Sequence, residues 1–256
     1  MFLLLTLSVS ILLAQPQWET AIYAEDTWSY FVGTTSPPEN WNQLNFDSSN
    51  WNTGQGGFGY ADGDDNTIIT NTLSVFFRKN FNVISLDEIL SLAIHADYDD
   101  GFVAYINGTE VLRSTNMGEP GSQVTYEQTT ETDHEAVMYQ GQAPEAFVLY
   151  PSDFEDVLST GENVLAVQVH NVNTASSDMS SLFYLSFKLS EGLSYYGETP
   201  EWFYIPTDFS SSHLPIIVVN TNGQEIPNEE KLTAHMGIID NGPGVINYLS
   251  DPYNHY

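Results

Sequence analysis

Asp97-Tyr98-Asp99-Asp100-Gly101-Phe102-Val103-Ala104-Tyr105-Ile106-Asn107-Gly108 is the stretch whose reading decides the fold. Residues 102–106 carry the period-two pattern of a strand. Asn107-Gly108 then separates this run from residues 110–113, and a two-residue type I′ turn requires positive φ at both central positions, which Asn and Gly tolerate. A hairpin is therefore expected here. The same short period recurs at 73–81, 90–96, 146–149, 164–170 and 183–189, with turn residues between the runs and no sustained helical period. Two helical turns are expected, at 85–89 behind a Ser85 cap and at 151–158. The pattern predicts an all-β antiparallel sandwich over residues 15–190.

Outward from that core the organisation changes twice. Residues 1–14, apolar and closed by Ala14 before Gln15-Pro16, read as a secretory signal peptide, although the usual positive n-region is missing. The run is too short for the ~20 residues that span a bilayer, so no membrane insertion is expected after cleavage. Residues 191–206, with Tyr195-Tyr196-Gly197-Glu198-Thr199-Pro200 and Trp202-Phe203-Tyr204-Ile205-Pro206, read as a linker. Residues 207–256 hold a run expected to be a buried strand at 214–220, the turn Thr221-Asn222-Gly223 and a second apolar piece at 236–239. So short a segment cannot bury a core of its own.

The chain has 256 residues, with 34 Asp and Glu against 5 Lys and Arg, a formal net charge of −29. Such a surface repels nucleic-acid phosphates and anionic membranes, and leaves neutral glycans, divalent cations and cationic partners open. Disorder does not fit, because 41% of the residues are hydrophobic and 13% aromatic. Cysteine is absent, which removes disulfides, thiolate nucleophiles and thiolate metal sites; metal chemistry must use oxygen or imidazole.

Two resemblances cover nearly all of the mature chain. Trp41 with Phe46-Asp47-Ser48-Ser49-Asn50-Trp51, Gly57-Phe58-Gly59-Tyr60, the 97–108 stretch and Gly161-Glu162-Asn163-Val164-Leu165-Ala166-Val167-Gln168-Val169-His170-Asn171 resemble the galactose-binding-like jelly roll. That fold is found in the N-terminal sandwich of β-galactosidase-type enzymes and in carbohydrate-binding modules of exported bacterial proteins. It binds sugars in some relatives and is a spacer in others. Residues 209–227 and Met236-Gly237-Ile238-Ile239-Asp240-Asn241-Gly242 look like the opening of the CotH family of spore-coat-type atypical kinases. The resemblance implies a truncated α+β segment, with the nucleotide-binding region beyond Tyr256, so no catalytic residue carries over.

Several groups of residues suggest chemistry. Asp62, Asp64, Asp65 and Asn66 surround Gly63 with hard oxygen donors suited to Ca²⁺, without the full EF-hand register; an acidic solvated turn explains them equally well. Asp99 and Asp100 resemble the aspartate pair of protective-antigen-like lectin domains, in which the pair holds calcium and sugar hydroxyls; a self-bonded turn is the competing reading. Trp41, Tyr60, Tyr98 and Tyr126 are candidates for stacking on a pyranose. Trp51 and Phe58 suit the core better, and Trp41, after Pro37-Pro38-Glu39-Asn40, is expected to be exposed.

Other groups carry less. The six histidines show no zincin or triad spacing, and His95 and His170 fall on expected strands. No phosphate-cradling Gly-Lys loop exists, and with so many carboxylates no glycosidase pair stands out. Asn107-Gly108-Thr109 matches a glycosylation sequon but coincides with the hairpin turn.

The expectation is a secreted or cell-surface bacterial module, non-catalytic, binding a glycan or surface component and stabilised by calcium. An accessory domain of a CotH-like kinase and a structural spacer of an adhesin are the alternatives.

Overall fold

The computed structural model describes residues 17–61, 63, 65–206, 211–221, 231 and 233–255. The expected signal peptide lies outside them. The chain forms two units, residues 1–205 and 206–256.

The first unit is a β-sandwich of β1 (Gln17–Ile22), β2 (Thr27–Val32), β3 (Asn52–Gln55), β4 (Phe58–Tyr60), β5 (Thr67–Ile68), β6 (Ser74–Val83), β7 (Ile89–Tyr98), β8 (Gly101–Ile106), β9 (Thr109–Arg113), β10 (Glu145–Leu149), β11 (Gly161–His170) and β12 (Met179–Leu189). One sheet runs β10-β7-β12-β4-β5, with β1 also on β12; the other runs β3-β2-β6-β11-β8-β9. Every pairing is antiparallel except β4 with β5. All seven expected runs are strands, and the hairpin forms as expected, with φ of 51° at Asn107 and 93° at Gly108. Only the first turn of each expected helix appears as helix, at Leu86–Glu88 and Pro151–Phe154. Asp153 holds the second start by accepting from the Tyr150 backbone N–H at 2.8 Å.

The period of two decides which side chains meet between the sheets. Leu165, Val167 and Val169 of β11, Phe102, Ala104 and Ile106 of β8, and Val75, Phe77, Phe81 and Val83 of β6 share one core with Ile94, Leu185 and Phe187 of the facing sheet. Each fully buried large side chain contributes about 2 kcal/mol of transfer free energy, set against the entropy of ordering it. Strands β1 to β5 were not among the expected runs; β3, β4 and β5, of four, three and two residues, are too short to show a period.

On the outer faces the alternation does not mean exposure. Phe76, Arg78, Gln168 and His170 point away from the core, yet all are buried, because the segments between β2 and β3 and between β9 and β10 fold over the second sheet. A second aromatic cluster of Trp41, Phe76, Ala166, Phe31, Trp51, Tyr105 and Tyr126 results.

The expected linker is corrected in the same way. Residues 191–205 run back across the first sheet: Gly197 bridges Thr20, the Glu19 carboxylate accepts from the Tyr195 and Tyr196 N–H groups at 2.7 Å, and Trp202, Phe203 and Tyr204 surround His95. Aromatic side chains so close together favour packing on the nearest apolar face over solvation as a free tether.

In the second unit the described residues form β13 (Ser211–Ser212) with β16 (Asn247–Tyr248), and β14 (Ile216–Asn220) with β15 (His235–Ile239). The strand at 216–220 is not the buried one expected. Ile216 is buried with Ile239, while Leu214 is 73% exposed and Ile217 and Val219 also face solvent. A two-stranded ribbon has no second layer to cover both of its faces. Between β14 and β15, residues 222–230 and 232 lie outside the described set.

Candidate functional site

Two places in the sandwich concentrate polar and aromatic chemistry, and the expected site residues divide between them.

The first is a cleft of about 670 Å³ on the outer face of the second sheet. Its floor is the outward row of β6, β8 and β11, namely Phe76, Tyr105 and Gln168; its walls are residues 36–42, 108–110 and 121–126. Trp41 meets Phe76 and Tyr105 edge-on, with ring centroids 5.0 and 5.7 Å apart, and lies parallel to Trp51 at 6.3 Å. Only 7% exposed, it is not the free platform expected after the Pro-Pro pair. Its indole packs down into the second cluster, leaving half-buried Tyr105 and Tyr126 as the accessible rings. Trp51 is likewise half-buried, at the margin of this cluster, whereas Phe58 is in the main core as expected.

Polar bonds fix the walls. The Tyr126 carbonyl accepts from Ser74 Oγ at 2.7 Å, tying one wall to β6. Gln168 bonds Tyr105 Oη at 2.7 Å and faces His170 Nε2 at 3.2 Å, and His170 Nδ1 bonds the Gln128 carbonyl at 2.8 Å. Burial drives the His170 pKa down to about 4 against the pull of the Gln128 bond, so the ring under the floor is neutral. Arg113 organises the far wall, giving two bonds to the Glu110 carboxylate (2.9 and 2.7 Å), one each to Met117 O and Ser122 O, and one to Ser122 Oγ (2.8 Å each).

The second place is the end of the sandwich where β7 turns into β8 and β11 leads to β12. Three aspartates there have different tasks. Asp97 accepts from the Val137 and Met138 N–H groups at 2.7 and 3.0 Å, and Asp100 from those of His134 and Val172 at 2.8 and 2.7 Å. Both anchor the long segment that follows β9. Asp99, joined to Asp100 by a cis peptide bond, instead meets Glu135 and Asp178, each offering one carboxylate oxygen within 4.8 Å of the others. Burial, and then the charges of Asp100, Asp178 and Glu135, push the Asp99 pKa up to about 8.

Tyr60 and Tyr98, expected to contact a ligand, are core residues instead. Both sit at inward positions of their strands. Tyr98 stacks on His134 at 4.1 Å, packs on Phe102 and donates to Glu145 at 2.9 Å, so its ring is already covered. Tyr60 Oη accepts from the Asn171 amide at 2.8 Å.

Of the expected calcium loop, Asp62 and Asp64 lie outside the described residues. The Asn66 amide donates to the Gly56 carbonyl at 2.8 Å, which holds the turn closed. Asp65 lies over Gly59, beside the Met179 carbonyl, so this loop shares its end of the sandwich with Asp178.

The carboxylate set suits a hard divalent cation. Three carboxylate oxygens converge there, one of them from the buried acid Asp99, whose pKa burial and its acidic neighbours raise. Sequence reasoning found Asp99 but missed Glu135 and Asp178, which are far apart in the chain. It also missed Tyr105, Gln168, Glu39 and Glu110; strand β6, apolar at both Phe76 and Phe77, was the signal that its outer face is covered.

No protein-family model matches the chain, and no curated protein does. Solved structures similar to it include a calcium binding mutant of Bacteroides uniformis beta-glucuronidase 2 (15% identity, TM-score 0.41, 67% of this chain and 18% of that one). A glycosyl hydrolase family 2 member from Bacteroides cellulosilyticus is 14% identical with a TM-score of 0.40, over 68% of this chain and 21% of that one. An uncultured Clostridium sp. beta-glucuronidase is 13% identical with a TM-score of 0.40, over 72% and 31%. The chain thus spans between about a fifth and a third of the length of these structures.

Proposed function

We propose that this chain is an exported carbohydrate-binding β-sandwich module, with its ligand in the cleft over β6, β8 and β11 and Ca²⁺ held at the Asp99 end. The observation that carries the reading is the cleft itself. It pairs accessible rings, Tyr105 and Tyr126, with the amides of Asn42 and Gln123 and the carboxylate of Glu39, the mixture that stacks on the apolar face of a sugar and fixes its hydroxyls. Asp99, Glu135 and Asp178 would hold the cation, which supplies positive charge to a carboxylate group that otherwise repels itself. The expected leader at 1–14 supports export.

A glycan array probed with the full chain, with and without calcium, tests this. Hits that disappear in Tyr126→Ala while the melting temperature is unchanged support the cleft; an array with no hits in either condition overturns it.

A second reading makes the sandwich the accessory domain of a CotH-like kinase. It is favoured by the separate unit at 206–256, whose β14–β15 ribbon leaves Ile217, Val219 and Met236 exposed. Metal-dependent ATP consumption by the product of the source gene would support it, and its absence would count against it.

A further inference from the structure

Resting on the saccharide reading above, we infer that the cleft selects uncharged sugars and rejects those bearing carboxylate or sulfate groups. Recognition of an anionic sugar needs a donor with positive charge, and Arg is the usual source because its fork matches the anion. The cleft is lined by Glu39 and Glu110 and by no Lys, Arg or His.

Among the described residues of the sandwich, the Arg and Lys side chains all lie outside the cleft lining. Arg113 stands directly behind the Glu110 wall, but a guanidinium has five N–H donors. All five are spent: Nε and one Nη2 donor on Glu110, both Nη1 donors on Met117 O and Ser122 Oγ, and the other Nη2 donor on Ser122 O. Arg78, outward on β6 but outside the cleft lining, is buried under residues 41–46, donating to the Trp41 and Phe46 carbonyls. Lys79 pairs with Asp26 at 3.5 Å and donates to Thr27 O. Lys188 is on β12 of the other sheet. His170, outward on β11 but fully buried and neutral, gives its one N–H, on Nδ1, to the Gln128 carbonyl.

A carboxylate entering the cleft therefore leaves water to face the charge of Glu39 and an already neutralised Glu110–Arg113 pair, with no basic side chain in the lining to receive it. A hydroxymethyl group at the same position loses nothing comparable, since it can donate to Glu39. The discrimination is a repulsive one, built into the walls, and it is local: at about 0.15 M salt the remaining surface charge is screened beyond roughly 8 Å.

The test is a binding panel with the full chain at that ionic strength, containing neutral glucans, mannans, galactans and xylans beside glucuronoxylan, alginate and sulfated glycans. Polygalacturonate and its carboxyl-reduced form are included as a matched pair. Neutral members that bind at least about tenfold more tightly than acidic ones, with a gap that narrows in Glu39→Lys, support the inference. Acidic members that bind equally or better, or a gap that Glu39→Lys leaves unchanged, overturn the selectivity while the saccharide reading stands. A panel with no binder, on a chain shown folded by its melting curve, overturns both.

Discussion

Acidification should unlock the sandwich through one residue. His170 is fully buried under the cleft floor, and desolvation places its pKa at about 4, against 6.5 for an ordinary histidine. A depressed folded-state value means that the unfolded chain binds the proton first. The stability is complete above pH 6.5, is lost as the pH falls through the interval, and is fully lost below the folded value. A gap of about 2.5 pH units at 1.36 kcal/mol each gives about 3 kcal/mol. His170→Asn keeps a donor near the Nδ1 position, facing the Gln128 carbonyl, and removes the titration.

The assay is denaturant unfolding of both proteins at pH values from 7.5 to 4, followed by tryptophan fluorescence. All five tryptophans lie in the first unit, so the signal reports the sandwich. Asp97 and Asp99, whose raised pKa values act in the opposite direction, cancel in the difference between the two proteins. The wild type should lose about 3 kcal/mol more than the variant over the interval, with glycan affinity falling alongside. Parallel curves for the two proteins, or a His170 ring that titrates near pH 6.5 by NMR, would refute the reasoning.

Trp41→Ala should cost about 3–5 kcal/mol, the usual range for removing a buried large aromatic, whereas Tyr126→Ala should weaken glycan binding about tenfold with little change in melting; equal stability losses would contradict the assignment of Trp41 to the packed cluster. Calcium at about a hundred times its dissociation constant should stabilise the chain by about 2.7 kcal/mol, and the doubly substituted Glu135→Gln, Asp178→Asn protein should lose that response, as read in melting curves with calcium or chelator. Because Asp99 must lose its proton to solvent before it can ligate a cation, calorimetry should show calcium affinity falling as the pH drops below about 8. Gly59→Ala should destabilise strongly, since a Cβ there would collide with the Met179 carbonyl and Asp65; a melting temperature within two degrees of wild type would show that β4 and β12 separate easily.

The strands that carry their own periodicity were legible from residue order alone. Residues 102–106, 164–170 and 183–189 alternate because one side of each must leave water, and Asn107-Gly108 is a turn because its two residues accept positive φ; these are local facts, and they hold whatever packs outside them. Asp99 was visible for the same local reason, as part of an acidic run between two strands. Which outward faces are covered depends on long-range packing. Trp41 became a packed residue because two long segments fold over a sheet whose alternation promised solvent, leaving Tyr105 in the cleft between them, while Tyr98 took an inward position of β7. Glu135 and Asp178 joined Asp99 for a related reason: the backbone bonds of Asp97 and Asp100 hold residues 134–138 and 172 at one end of the sandwich. No spacing in a linear chain encodes a carboxylate cluster assembled from three separate loops.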